Sequence, residues 1–127
     1  DYAAVKQVVV NRLKKEKIVH YAFDMEKTST ESIPEQLKFR AINGYNRERS
    51  GGVQIVLKPA HYEYDVAKGT SHGAWNPYDI HIPLVFMGWH IQHGATTQPH
   101  YMTDIAATVS ALLHIQAPNG CIGTPIF

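Results

Sequence analysis

The sequence has 127 residues, the size of one domain with room for a hydrophobic core. Its 44% hydrophobic and 18% charged residues exclude a chain that is disordered throughout. Twelve Lys and Arg against eleven Asp and Glu leave a formal charge of +1, which is not the basic field of a non-specific nucleic-acid binder. The longest apolar run, Ile82–Gly88, is too short to cross a bilayer. The single cysteine, Cys121, excludes an internal disulfide and a zinc site built from cysteines.

The first residue bears on the origin of the chain. It is Asp1 rather than Met, and no charged segment followed by an apolar leader precedes the first helical pattern. We therefore expect either a chain that has lost its signal peptide or, preferably, a piece of a longer protein. Because the sequence shows no internal repeat and no low-complexity segment, we predict a single domain over residues 1–127.

The N-terminal part predicts a helix, a strand and a loop. Apolar residues at helical spacing, opposite a set of cations, indicate an amphipathic helix over about residues 2–16. The apolar side carries Val5, Val8, Val9 and Leu13, and the other side carries Lys6, Arg12, Lys14 and Lys15. A short strand is predicted over residues 18–23, ending at Asp24, and the polar stretch 26–31 is predicted to be a loop.

The next two elements are a helix and a strand. Ser32 to Glu35 match a capping box, in which Ser accepts from the backbone and Glu reaches back to it. A helix should follow to about Asn43, with Gly44 as its left-handed end. The β-branched stretch Val53–Leu57 predicts a strand.

The second half begins with a long irregular segment over residues 60–81. Residues 82–87 are continuously apolar, which predicts a strand buried on both faces in the same sheet as Val53–Leu57. A helix is predicted from Thr103, as its N-cap, to His114. The Pro- and Gly-rich tail from Ala117 onward is predicted to be irregular.

Eight histidines are the unusual feature of the composition. Six of them are interpreted as structural or surface residues, because they lie in predicted elements or in loops without an acidic partner nearby: His20, His61, His90, His93, His100 and His114. No pair has the i, i+4 helical spacing of a metalloprotease helix. His72 and His81 remain as candidates for chemistry.

His72 lies in the small-residue stretch Gly69–Gly73, ahead of the predicted buried strand. Glycine allows the backbone to fold tightly there, and crevices at strand ends are where open α/β sheets bind ligands. Neutral imidazole is a common zinc ligand whose other ring N–H is usually donated to a carboxylate or carbonyl, for which Asp79 is a candidate. The spacing alone leaves a ligand, a catalytic and a structural role open for His72.

Seven short motifs follow one another in order along the sequence: residues 43–46, 49–51, 57–59, 69–73, 78–84, 103–106 and 112–120. They read NGYN, RSG, LKP, GTSHG, YDIHIPL, TDIA and LLHIQAPNG. Together they resemble the C-terminal portion of bacterial alkaline phosphatases of the type I phosphodiesterase/nucleotide pyrophosphatase branch. The resemblance is clear from Asn43 to Phe127 and extends back toward the first helix.

The resemblance implies an α/β chain, the C-terminal fragment of an alkaline phosphatase-like three-layer sandwich. It also implies a periplasmic or secreted enzyme with two zinc ions, in which a Thr or Ser nucleophile forms a phosphoryl-enzyme intermediate with a phosphate ester substrate. In the family, the His of the Gly-Thr-x-His-Gly motif is a zinc ligand, and here that residue is His72. Asp79 and His81 are then candidates for residues that orient the zinc ligand without binding zinc themselves.

Several parts of the family pattern are missing from the sequence. The family's nucleophile, its Asp-His metal motifs and its phosphate-contacting residues precede the region that this sequence resembles, so no catalytic residue is expected here. One His cannot hold zinc tightly, so we expect the chain alone to be inactive and free of zinc because it has too few ligands. Gly52 stands where the family's Arg-Ser-Gly-Asp motif has Asp. The alternative hypothesis is a non-catalytic binding or interaction module, and exposed apolar faces favour self-association.

Overall fold

The computed structural model describes residues 1–62, 69 and 72–127. Its elements, in chain order, are α1 (Tyr2–Leu13), β1 (Val19–Asp24), a 3-10 helix (Met25–Thr30), α2 (Glu35–Gly44), β2 (Val53–Leu57), α3 (Pro77–Ile80) and α4 (Asp104–Leu112). They group into two compact units, Asp1–Pro83 and Leu84–Phe127. The single domain over residues 1–127 stays a prediction. None of the helices described combines a membrane-spanning length with an apolar sequence.

The first unit contains a two-stranded antiparallel sheet. β1 pairs with β2 from Val19 opposite Leu57 to Asp24 opposite Val53, with an irregularity in the register between Val19 and Tyr21. The prediction of the second strand is confirmed at both ends, and the first strand begins one residue later than predicted and ends at Asp24.

The core of this unit lies against the sheet. It consists of Phe23, Met25, Leu37 and Val56, of which Phe23 is fully buried. Each such side chain contributes about 1.5–3 kcal/mol when it is removed from water. The core therefore joins both strands to the 3-10 helix and to α2.

A buried lysine connects α1 to the sheet. The Nζ atom of Lys6, whose side chain is 4% exposed, lies 2.7 Å from Asp24 Oδ1 and 2.6 Å from Glu26 Oε2. Arg47 Nε is 3.1 Å from Glu26 Oε1 and extends the cluster to the surface. Hydrogen bonds to the two carboxylates raise the pKa of Lys6. Burial alone raises the pKa of Asp24, but the hydrogen bond from Lys6 and that from the Glu26 N–H outweigh burial and lower it.

The predicted orientation of α1 is therefore wrong. Lys6, placed on the solvent side by the pattern, is buried, whereas Val5, Val8 and Val9 are exposed. The physical reason is the pair of carboxylates, because a lysine can be buried when its charge is paired and its protons are hydrogen-bonded. Val10 is the apolar residue that α1 buries.

The ends of several elements also differ from the predictions. Residues 26–31 are not a loop but mostly a 3-10 helix, which is capped by Asp24 through a hydrogen bond from the Glu26 N–H. The predicted capping box does not form, since Pro34 is the N-cap of α2 and makes no side-chain capping bond. Gly44 is the last residue of α2 and does not have a positive φ.

The predicted strand over residues 82–87 is wrong. This stretch has no strand structure, and Val85 and Met87 are 81% and 95% exposed. An extended segment becomes a strand only where a neighbour accepts and donates its backbone hydrogen bonds. In the part of the chain that the structure describes, β1 and β2 form the sheet, and they pair with each other.

The second unit is organised around α4, whose predicted existence is confirmed. Thr103 is its N-cap but makes no side-chain capping bond. Instead, the Asp104 carboxylate accepts from the N–H groups of Tyr101, at 2.9 Å, and Thr124, at 3.1 Å. Thr108 Oγ1 accepts from the N–H of Ile126 at 3.1 Å. These bonds hold the C-terminal tail, which is irregular as predicted.

Candidate functional site

His72 lies in the first unit, between β2 and α3, and its side chain is exposed. The next residue, Gly73, has a φ of +111°, a backbone conformation that L side chains rarely adopt. A glycine-flanked stretch with few contacts is expected to be mobile, and we predict this of Gly69–Gly73. Residues 70 and 71 are outside the described residues, so the mobility stays a prediction. What the structure places at the site is an exposed imidazole followed by a glycine in a left-handed conformation.

Asp79 contacts the backbone beside His72. Its Oδ2 atom accepts a hydrogen bond from the Gly73 N–H at 2.8 Å. The sequence predicted Asp79 as an acceptor for the imidazole, and that role stays a prediction. The observed bond constrains the peptide that joins His72 to Gly73.

The four-residue helix α3 positions Asp79 and its neighbour Tyr78. It follows Asn76, which is buried and whose carbonyl oxygen accepts from the N–H groups of Asp79, at 2.9 Å, and Ile80, at 3.1 Å. The Tyr78 hydroxyl oxygen accepts from the Ala60 N–H at 2.9 Å and from Asn76 Nδ2 at 3.1 Å. Tyr78 therefore ties the residues that follow β2 to the start of α3.

Trp75 attaches the same segment to the core. Its ring meets the Tyr21 ring edge-on, with centroids 6.4 Å apart, and packs against the core cluster of the first unit. The indole N–H is buried and has no acceptor among the residues that the structure describes. A buried unpaired donor is costly, so this position would gain from an acceptor supplied by water or by another segment.

His81 follows α3 and is exposed. Its backbone N–H donates to the Pro77 carbonyl at 3.0 Å and ends the helix. That His81 helps to orient the zinc ligand stays a prediction. The sequence analysis missed α3 and the contacts of Tyr78, although Asn76 followed by Pro77 is a common helix start and could have been used to find them.

The metal-binding capacity of the described residues is limited. No group of three or more His, Cys, Asp or Glu side chains in residues 1–62, 69 and 72–127 is arranged to hold a metal ion. Near His72, the chain offers an exposed imidazole, a suitable zinc ligand, on an anchored backbone. A complete zinc site would require further ligands from outside the described residues.

The second unit contains an open pocket of about 460 Å³ that is lined by seven residues: His90, Ile91, Gln92, Ala111, Leu112, His114 and Phe127. His90 and His114, which both line it, have positive φ values of 62° and 51°. Backbone strain of this kind in residues other than glycine occurs at turns and at functional sites.

Comparison with known proteins relates the chain to phosphatases. Alkaline phosphatase PafA of Elizabethkingia meningoseptica is 51% identical over 122 residues, which make up 96% of this chain and 22% of that protein. Alkaline phosphatase PhoV of Synechococcus elongatus is 49% identical over 126 residues, covering 99% of this chain and 23% of PhoV. A protein of Myroides odoratus named calcium-transporting ATPase is 48% identical over 118 residues, covering 92% and 22%. No protein-family model matches the chain.

The crystal structure of wild-type PafA matches the fold with a TM-score of 0.95 at 49% identity, over 99% of this chain and 24% of PafA. The predicted α/β class and the likeness to a piece of an alkaline phosphatase fold are thereby confirmed. The chain spans about a quarter of the length of the relatives it matches. It is homologous to one region of alkaline phosphatases.

Proposed function

We propose that this chain is the C-terminal part of the catalytic domain of a zinc-dependent phosphoric ester hydrolase, an alkaline phosphatase or phosphodiesterase of the nucleotide pyrophosphatase branch. The similarity to PafA over nearly the whole chain is the observation that carries the proposal. The proposed substrate is a phosphate ester, hydrolysed through a phosphoryl-enzyme intermediate in the intact protein. The proposed location is the periplasm or the outside of the cell.

In this proposal His72 is a zinc ligand. A neutral imidazole donates a nitrogen lone pair to the metal. The exposed position of His72 makes its ring accessible to a metal ion that residues from other segments also bind. Bound zinc activates water and stabilises the charge that develops on the attacking and leaving oxygens. The nucleophile and the remaining ligands come from parts of the protein outside these 127 residues. This chain alone is then inactive.

A chimera tests the proposal. The matched region of PafA is replaced by this chain, and zinc content and hydrolysis of p-nitrophenyl phosphate are measured. The chimera should bind zinc and retain phosphatase activity. His72→Ala in the chimera should lower both by orders of magnitude, because a catalytic zinc site normally has three protein ligands and this substitution removes one of them.

His93→Ala is the matched control, since His93 is also an exposed loop histidine and should be silent. Unchanged zinc content in the His72→Ala chimera would remove His72 from the metal site. A folded chimera that binds zinc but hydrolyses no phosphate ester would favour the alternative, a binding module without chemistry.

A further inference from the structure

We infer that Asp79 and Tyr78 are positioning residues for His72, and that Asp79 acts through a backbone hydrogen bond rather than through its charge. The inference rests on the proposed role of His72 as a metal ligand. According to this inference, α3 fixes the orientation of the His72 side chain relative to the backbone.

The first step is the bond between Asp79 and Gly73. The Gly73 N–H belongs to the peptide that also carries the His72 carbonyl, so a hydrogen bond of 2.8 Å to Asp79 Oδ2 fixes the plane of that peptide. The Cα of His72 lies at one end of this plane. Because glycine has no Cβ, Gly73 can hold its φ of +111° without strain and would also visit other conformations readily if the bond were absent.

The second step is the attachment of α3 itself. Tyr78 holds the Ala60 N–H at 2.9 Å, and Ala60 has a φ of +61°, which is uncommon for a residue other than glycine. The bond that Ala60 donates to the Tyr78 hydroxyl oxygen therefore secures a strained residue just after β2. Trp75, packed against the core, holds the stretch between Gly73 and α3.

Three contacts therefore hold the described residues around His72: the bond from Gly73 to Asp79, the bond from Ala60 to Tyr78 and the packing of Trp75 against the core. Among these three, the bond at Gly73 is the one next to His72. A ligand that is held in place before the metal arrives loses less conformational freedom on binding. Residues that orient a metal ligand typically change metal affinity by about 10–100-fold when they are removed.

The experiment compares two substitutions of Asp79 in the PafA chimera. Asp79→Asn removes the charge but keeps an oxygen that can accept from the Gly73 N–H, whereas Asp79→Leu keeps the approximate size and removes the acceptor. Tyr78→Phe removes only the hydroxyl. Thr96→Val is the control, because Thr96 Oγ1 also accepts an exposed backbone N–H, that of Gln98, but in the other unit. Zinc affinity is measured by chelator competition, and the exchange of the Gly73 amide by mass spectrometry.

We expect Asp79→Leu to weaken zinc binding about tenfold or more and to speed exchange of the Gly73 amide. Asp79→Asn should stay within about threefold of the unsubstituted chimera in both measurements, and Tyr78→Phe should fall between the two. Thr96→Val should change neither. Equal losses in Asp79→Asn and Asp79→Leu would overturn the inference, since the charge would then carry the role. Normal zinc affinity in Asp79→Leu would overturn it as well.

The His72→Ala chimera separates this inference from the proposed function. If it keeps its zinc, the proposed function fails whatever the Asp79 variants do. If it loses zinc while Asp79→Leu does not, the proposed function stands and the positioning role fails.

Discussion

Two apolar segments of similar length and composition, Val53–Leu57 and residues 82–87, have different structures in this chain. The first pairs with β1 along its length and buries Val56. The second is irregular and exposes Val85 and Met87. Both carry β-branched residues, but Pro83 in the second segment has no backbone N–H to donate to a neighbouring strand. The first segment also has a partner strand and the second has none among the described residues, so an apolar run indicates a need for cover and not that cover is present.

The largest effect should come from a substitution in the core of the first unit, where apolar side chains of β1 and β2 are buried. Phe23 is fully buried on β1, so Phe23→Ala removes a large side chain from the core of the first unit. We expect a loss of about 3–5 kcal/mol in the free energy of unfolding. Urea denaturation followed by circular dichroism measures it. Phe39→Ala, at a half-exposed position on α2, is the control, and an equal loss there would contradict the assigned core.

The charged part of the same unit should respond to acid. Hydrogen bonds from Lys6 lower the pKa of Glu26, and with the Glu26 N–H they lower that of Asp24 against the opposing effect of burial. A carboxyl group whose pKa is lower in the folded chain contributes stability that is lost as the pH falls through that value. The stability of the first unit should therefore decline as the pH falls from about 5 toward 3.

Lys6→Met tests this assignment. Without the lysine, burial raises the pKa of Asp24, so protonation no longer disfavours the folded state and the decline below about pH 5 should flatten. At pH 7 the variant should be less stable than the unsubstituted chain, because Asp24 is left buried without its partner. Urea midpoints measured between pH 3 and 7 provide the comparison. A decline of the same slope in both proteins would place the acid sensitivity elsewhere.

How well the sequence predicts a structural feature depends on how far apart along the chain the interacting residues lie. Val53–Leu57 and α4 are predictable because their signals are local. The burial of Lys6 is not, because Asp24 and Glu26 are 18 and 20 residues away. At the site, glycine neighbours and the family motif made His72 a candidate ligand, a role that stays a prediction. The bond from Ala60 to Tyr78, also 18 residues apart, leaves no local pattern.

A matched pair of valines sharpens the comparison of the two apolar segments. Val56 is buried and Val85 is exposed, so the same change to Ala should have unequal effects. Val56→Ala removes two buried methyl groups and should cost about 1.5–2 kcal/mol, whereas Val85→Ala should change stability by less than about 0.5 kcal/mol. Equal costs, measured by urea denaturation, would mean that Val85 is covered in solution, as self-association would do.

The smallest effect concerns Gly52, where the sequence resemblance leads us to expect Asp. A Cβ atom at this position would meet the Tyr2 hydroxyl and lie 3.0 Å from Lys6 Cδ. Tyr2 is 67% exposed and its ring can move into solvent, so Gly52→Asp should cost less than about 1 kcal/mol. The cost should arise from displacing the Tyr2 ring, which lies 5.1 Å from Lys6 Nζ and makes a cation–π contact with it.

A double-mutant cycle isolates that cause. In a Tyr2→Ala background the space beside Gly52 is vacant, so Gly52→Asp should then be neutral, or stabilising through the added carboxylate near Lys6. The two substitutions are in contact, and their effects on the free energy of unfolding should therefore not add. Gly52→Ala is the control for charge. With Tyr2 present it should show the same steric cost as Gly52→Asp, and in the Tyr2→Ala background it should not stabilise the chain. An identical cost of Gly52→Asp in both backgrounds would assign the preference for glycine to the turn that precedes β2 rather than to the packing of α1.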